Sequence, residues 1–161
     1  MTIRLTAQRD DIADEAPIVF TMSKTVPMVI GDVVQCFHAE VWCSQARIGQ
    51  NADALRAFYT RIGAGDGPDE AGVVFGVGPV AQLPVHPERC ALRLRYTPGK
   101  RILVSVEMTA YQFAGSGPPL SDSCVMHFRT DPACLDAFIG QLDRSSHATL
   151  QASLAGLDVW D

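Results

Sequence analysis

The sequence predicts an α+β fold, in which an antiparallel sheet of about five or six strands carries two main helices on one face. Residues 33–43, VVQCFHAEVWC, alternate between two sets of side chains, which is typical of a long half-buried strand. Two later segments repeat apolar residues at helical spacing behind capping residues. The other alternating segments are separated by short turns, and strands joined in this way are antiparallel.

The segments before the long strand are short. Residues 1–16 are rich in Asp and Glu and are expected to be loosely ordered. Residues 18–22 predict a short strand. Residues 26–30 predict an edge strand or a turn, because Pro27 interrupts an apolar run and cannot donate a hydrogen bond to a neighbouring strand.

A helix is predicted after the long strand, with Asn51 as its N-cap. Its apolar residues recur at helical spacing and form one stripe, namely Leu55, Phe58, Tyr59 and Ile62. Glycines from Gly63 onwards end it. Four further strands are predicted, at residues 73–75, 90–96, 101–113 and 124–128. Thr97-Pro98-Gly99-Lys100 predicts a turn, and residues 78–87 and 115–119 predict loops.

A second helix is predicted to begin at Asp131, which can accept backbone N–H bonds as N-cap, with Pro132 at the first helical position. Residues 146–161 are predicted to form a tail or a short C-terminal helix, because leucines recur there at helical spacing. The set Leu150, Leu154, Leu157 and Trp160 is interpreted as packing within the molecule rather than as a dimer seam.

The composition restricts the class of protein. A chain of 161 residues suits one α+β domain spanning residues 1–161. Its net charge of -5 disfavours nucleic-acid binding and is compatible with a basic protein partner. No apolar run is long enough for a membrane span and no secretory signal is present, so a cytoplasmic location is expected. The five cysteines include no C-x-x-C pair and are expected to be buried free thiols.

Polar and aromatic residues gather on the predicted outward faces of the strands. Eight of them form the candidate binding site: His38, Glu40, Trp42, Arg93, Glu107, Tyr111, His127 and Arg129. Such a face can be a solvated surface with weak charge pairs. Tryptophan, tyrosine and arginine also anchor protein interfaces, so we interpret the face as a recognition surface for a protein partner.

An alternative is a small-molecule or metal-dependent enzyme with a site near Cys36, His38, Glu40 and His127, beside a loop at 114–122. Residues two apart on a strand lie roughly 6.5–7 Å apart, so one strand seldom supplies three metal ligands. The sequence also contains no G-x-S-x-G nucleophile motif. We therefore predict no catalytic residue, no metal and no cofactor.

The runs FHAEVWC…LRAFYTRI, ALRLRY…GKRILVSVEM and CVMHFRTDPACLDAFIGQL resemble small bacterial proteins of the WapI-type toxin-immunity family. The resemblance covers roughly residues 33–145. The Val104-Ser105-Val106 strand and Asp131 match the family pattern, and Pro132 replaces the glutamine that often follows the aspartate. The resemblance implies a cytoplasmic immunity-like protein that binds a toxin domain. It concerns the scaffold, so no functional residue is carried over.

Overall fold

A computed structural model describes residues 1–9, 17–65, 70–76, 88–97, 101–112, 120–144 and 149–160. These residues form eight strands and two helices: β1 (Thr2–Arg9), β2 (Ile18–Met28), β3 (Gly31–Val41), α1 (Gln45–Ala64), β4 (Glu70–Gly76), β5 (Arg89–Thr97), β6 (Arg101–Gln112), β7 (Leu120–Thr130), α2 (Pro132–Arg144) and β8 (Leu150–Asp158). The α+β class with a single antiparallel sheet and two helices is confirmed. The prediction of five or six strands is wrong, because the sheet has eight.

Two of the unexpected strands come from the ends of the chain. β1 lies between β2 and β8, so the expectation that residues 1–16 are loosely ordered is wrong for residues 2–9; residues 10–16 lie outside the described residues. β8 replaces the predicted C-terminal helix. Leu150 and Leu154 are four residues apart, and this spacing fits one face of a strand as well as one face of a helix.

The predicted boundaries shift elsewhere. β2 runs through Pro27, which lies opposite Asp32 near the hairpin end, where a missing N–H is tolerated. α1 begins before Asn51, because Ser44 is its N-cap and accepts a hydrogen bond from the Arg47 N–H at 3.3 Å. The predicted loops at 78–87 and 115–119, and turn residues 98–100, lie outside the described residues.

The strand order is β3-β2-β1-β8-β7-β6-β5-β4, and every neighbouring pair is antiparallel. The pairing of β7 with β8 is short and consists of Phe128 opposite Asp158 and Arg129 opposite Leu157. We call this pairing the joint. It divides the sheet into a first half (β3-β2-β1-β8) and a second half (β7-β6-β5-β4).

The core lies between the inner faces of the two halves and the two helices. β3 lies close to β5 and β6, and the rings of Phe20 and Phe75 are 5.1 Å apart between their centroids. α1 follows β3 of the first half but packs against β4 of the second half. α2 follows β7 of the second half but packs against β8 of the first half. Residues that alternate with the core positions form the outer face of each half.

Glycine and side-chain hydrogen bonds shape the joint. A Cβ atom at Gly156 would overlap the carbonyl oxygen of Arg129 and the ring of Phe128, so only glycine allows β8 to come this close to β7. The hydroxyl of Thr130 donates a hydrogen bond to the carbonyl oxygen of Ala155 at 2.7 Å. The guanidinium of Arg129 donates a hydrogen bond to the carbonyl oxygen of Asp158 at 3.2 Å. These contacts reinforce the short pairing. Within the first half, the Lys24 ammonium lies 2.8 Å from a carboxylate oxygen of the buried Asp158.

The predicted start of α2 is confirmed, since the helix begins at Pro132 and the Asp131 carboxylate accepts a hydrogen bond from the Cys134 N–H at 2.8 Å. We expect Asp131→Ala to lower the free energy of unfolding by about 1 kcal/mol, because the N–H loses its acceptor. Urea denaturation followed by circular dichroism measures this. Asp131→Asn is the control and should retain most of the stability, since an amide oxygen also caps a helix; equal stability of the alanine variant and the wild type would contradict the prediction.

Candidate functional site

The first half carries three of the predicted site residues. His38 and Glu40 are exposed on the outer face of β3, on the side opposite the buried Ala39 and Val41. Their exposure fits the expectation that this face is not core. The Nδ1 atom of His38 lies 2.8 Å from the Thr21 hydroxyl oxygen. Trp42 follows β3 directly and is 51% exposed.

The second half carries the other five. Arg93, Glu107, His127 and Arg129 lie on outer-face positions of β5, β6 and β7. Glu107 accepts a hydrogen bond from the guanidinium of Arg89 at 2.5 Å. Tyr111 is paired with Ser121 in the sheet, and its side chain lies outside the described part of the structure.

The strand order separates these two groups. β3 is the edge strand of the first half, and β2, β1 and β8 lie between it and β7 in the strand order. Cys36, His38, Glu40 and His127 of the alternative site do not form a metal-ligating cluster. Within the described ranges, no three His, Cys, Asp or Glu side chains are placed to hold a metal ion. Of the loop predicted beside that site at 114–122, residues 114–119 lie outside the described residues, and residues 120–122 belong to β7 instead.

A groove of about 870 Å³ lies on the outer face of the second half. We call it the outer groove. It is lined by Glu70, Ala71, Gly72, Arg93, Leu94, Arg95, Leu103, Val104, Ser105, His127, Val159 and Trp160. Two of the predicted site residues, Arg93 and His127, therefore lie in one concave surface.

The strand register explains how these two residues meet. Gly72, Arg93, Ser105 and His127 lie directly opposite one another on four consecutive strands. Gly72 has no side chain and that of Ser105 is small, so the floor is low beside Arg93 and His127. A ligand group can therefore approach the backbone between two side chains that carry ring or guanidinium nitrogens.

The adjacent row supplies charge and apolar surface. Glu70 lies opposite Arg95, and Arg95 lies opposite Leu103. The carboxylate of Glu70 is 3.7 Å from the guanidinium of Arg95, and both side chains are largely exposed, so the pair stabilises the fold little. Among the described residues no carboxylate pairs with Arg93, which leaves its guanidinium available to a ligand.

Trp160 forms part of the wall of the outer groove. The chain turns after β8, where the Trp160 N–H donates a hydrogen bond to a carboxylate oxygen of Asp158 at 3.2 Å, and the Trp160 side chain is 89% exposed. The prediction of intramolecular packing is confirmed for Leu150 and Leu154, which are buried, and is wrong for Leu157 and Trp160, which are exposed. Sequence reasoning missed this role because Trp160 lies beyond the end of β8, where the alternation of a strand no longer predicts the direction of a side chain.

Arg129 lies outside the outer groove. It lines a second cavity of about 770 Å³ at the outside of the joint, together with Arg4, Arg101 and Asp131. Its guanidinium donates a hydrogen bond to the carbonyl oxygen of Asp158 at 3.2 Å. The carboxylate of Asp131 lies among these cations and caps α2. This arrangement gives Arg129 a structural role at the joint.

The cysteines differ from the expectation of five buried thiols. All five are free, but only Cys43 and Cys90 are buried. Cys124 and Cys134 are half-buried, and Cys36 is exposed on β3. Burial raises the pKa of the thiols of Cys43, Cys90 and Cys124, and burial together with the Asp131 carboxylate raises the pKa of Cys134. Since the thiolate is the nucleophile, these four thiols are poorly suited to covalent catalysis. None of the described cysteines lines the outer groove.

Comparison of the chain with protein-family models, curated proteins and solved structures gives no match. Neither α1 nor α2 is long and apolar enough to cross a bilayer. The function is therefore inferred from the geometry of the outer groove.

Proposed function

We propose that this chain is a non-enzymatic binding protein and that the outer groove receives a segment of a protein partner. The observation that supports this most directly is that Arg93 and the exposed Trp160 line one groove with a low floor between the strands. Arginine and tryptophan are the residue types that contribute most to protein interfaces.

The chemistry of the lining suggests what the partner segment contains. Arg93 offers a planar guanidinium, which binds a carboxylate with two parallel hydrogen bonds. Leu103 and Trp160 offer apolar surface beside it. We therefore propose a segment that carries an acidic side chain next to an apolar or aromatic one.

The resemblance to WapI-type immunity proteins makes a toxin domain the partner to test first. The net charge of -5 would speed the approach of a basic domain, while the segment that enters the outer groove would supply the acidic group. We also propose a cytoplasmic location, which the five free cysteines support, because free thiols persist in a reducing compartment.

Titratable groups in the outer groove support a binding role better than a catalytic one. Its one described carboxylate, that of Glu70, lies beside Arg95, and its one described imidazole is that of His127. Acid–base catalysis generally uses a group positioned by a hydrogen-bonded neighbour. Ser105 lies directly opposite His127, but no hydrogen bond of either side chain orients the pair among the described residues.

The proposal predicts that charge reversal in the outer groove abolishes partner binding. Protein partners are captured from a cell extract on immobilised wild-type chain, and the dissociation constant of the purified partner is then measured by calorimetry. We expect Arg93→Glu and Trp160→Ala each to weaken binding by at least about 30-fold, as at interface hot spots. Gly72→Leu should do the same by filling the floor. A Cβ atom there makes only an ordinary contact, 3.8 Å from the Leu92 carbonyl oxygen, and the backbone is not strained.

Arg4→Glu is the matched control, since Arg4 is an exposed arginine on the outer face of the first half. It should leave the dissociation constant unchanged. Equal loss of affinity in Arg4→Glu and Arg93→Glu, or full affinity in Gly72→Leu, would show that the partner binds elsewhere.

A further inference from the structure

The two edge strands of the sheet, β4 and β3, differ in whether another element covers them. The β4 edge is covered by α1, whose Asn51 side chain donates a hydrogen bond to the carbonyl oxygen of Val74 at 2.9 Å. At the other edge, no described strand pairs with the outer side of β3. β3 contains no lysine, no proline and no bulge in its pairing with β2, which are the usual devices that prevent an edge strand from pairing with another chain.

The β2–β3 hairpin also projects beyond the core. Residues 27–36 are all exposed, including positions of β3 that share the inward side with Ala39 and Val41. We call residues 27–36 the hairpin arm. Val29 and Ile30 form its two-residue turn and are fully exposed, at 104% and 100%. Such turns favour Asn, Asp and Gly, so turn geometry does not account for these apolar residues, whereas burial against another surface would.

We propose that β3 pairs antiparallel with β3 of a second copy of this chain, centred on Gln35, so that one sheet continues through a two-fold dimer. This inference concerns the opposite half of the molecule from the outer groove and does not depend on the proposed function.

The sequence of β3 is self-complementary about Gln35, as a two-fold interface requires. In this register Val33 lies opposite Phe37 of the second copy, and Val34 lies opposite Cys36 of the second copy. At the ends of the paired segment, Asp32 lies opposite His38, so unlike polar groups meet. Apolar residues thus meet apolar residues on both faces.

Other registers are poorer. A continuous sheet keeps the outer faces of both copies on one side, which requires the two-fold axis to pass through a residue rather than between two. Centring on Cys36 would place Asp32 opposite Glu40 and set like charges against each other.

A lipid surface fits the hairpin arm less well. Membrane-binding segments combine apolar residues with lysine or arginine. The chain has no lysine or arginine between Lys24 and Arg47, and Lys24 is engaged by Asp158. The charge pattern therefore favours a second copy over an anionic membrane.

The mass in solution tests the dimer. Sedimentation velocity at about 100 µM should give twice the chain mass of 17.4 kDa for the wild type. Val34→Lys should dissociate it to monomer at that concentration, because two lysines would enter the pairing. Val74→Lys is the matched control: Val74 is the same residue type on the outer face of the other edge strand and is exposed to a similar degree, 50% against 56%. It should remain a dimer.

Cross-linking and charge exchange test the register. The two Cys36 residues of the dimer are diagonal neighbours, roughly 7–8 Å apart, so a bis-maleimide of that length should join them. Cys36→Ser should abolish the cross-link. His38→Asp should weaken the dimer by placing carboxylates opposite each other, and Asp32→Lys combined with His38→Asp should restore it.

A wild-type chain that is monomeric at about 100 µM would overturn the proposal. A dimer that survives Val34→Lys, or one that Val74→Lys dissociates, would also overturn it. Binding of a monomeric wild type to phosphatidylcholine vesicles that is lost in Val34→Lys would assign the hairpin arm to a lipid surface instead. A dimer without the Cys36 cross-link would refute the register centred on Gln35.

Discussion

Gly156→Ala is expected to lower the free energy of unfolding by about 3 kcal/mol or more, because the added methyl group would overlap the Arg129 carbonyl oxygen and the Phe128 ring. Both obstacles are fixed. The carbonyl belongs to the backbone of β7, and Phe128 is fully buried in the core. β8 must therefore move away from β7, which breaks the short pairing of the joint.

Urea denaturation followed by tryptophan fluorescence and circular dichroism measures this change. Gly49→Ala is the matched control, because Gly49 is exposed within α1 and a Cβ atom there meets nothing within 4 Å. Alanine at that position should stabilise the protein by about 0.5–1 kcal/mol, as in other helix interiors. Equal stability changes at the two glycines would show that the close approach at the joint is not required.

Lys24→Met is expected to lower the free energy of unfolding by about 3 kcal/mol, the lower end of the range for breaking a buried ion pair. Only 4% of the Asp158 side chain is exposed, against 28% for that of Lys24, so the substitution leaves a carboxylate inside the protein without its cation. The double variant with Lys24→Met and Asp158→Asn should recover part of the loss, because no buried charge is left. If the double variant is less stable than Lys24→Met alone, the buried charge is not the cause.

The same pair predicts a pH dependence. The hydrogen bond from Lys24 holds the pKa of Asp158 below its ordinary value, although burial opposes this. The stabilisation is therefore complete above the ordinary carboxyl pKa of about 3.9 and is lost as the pH falls through the lower, folded-state value. Asp158→Asn should lack this component, so its stability should approach that of the wild type at acidic pH.

The sequence predicts a strand or a helix correctly where the local pattern of residues fits only one of the two. β5 and β6 alternate cleanly, and the Asp131-Pro132 pair starts α2 where expected. At Leu150 and Leu154, in contrast, the spacing fits both a helix and a strand, and pairing with β1 decides between them. β1 itself has ordinary alternation but lies beside an acidic segment, and its central place depends on contacts with distant residues.

The candidate site was also predictable only in part, because contacts between residues distant in sequence bring its side chains together. Alternation along β5 and β7 predicts that Arg93 and His127 face outward. Their meeting across Ser105 depends on strand register, which is set by the whole sheet. His38 also faces outward, but the strand order places it on the other half of the molecule. Trp160 joins the outer groove through a turn that follows β8, which no periodicity describes.

The exchange of helices between the halves has a consequence for cooperativity. α1 follows the first half and covers the second, and α2 follows the second half and covers the first, so each half is covered by the helix that the other half leads into. If one half unfolds, the helix connected to it no longer covers the other half. The apolar inner face of that other half is then exposed to water, which destabilises it. The two four-stranded units therefore gain and lose order together, even though only a short ladder of backbone bonds connects them.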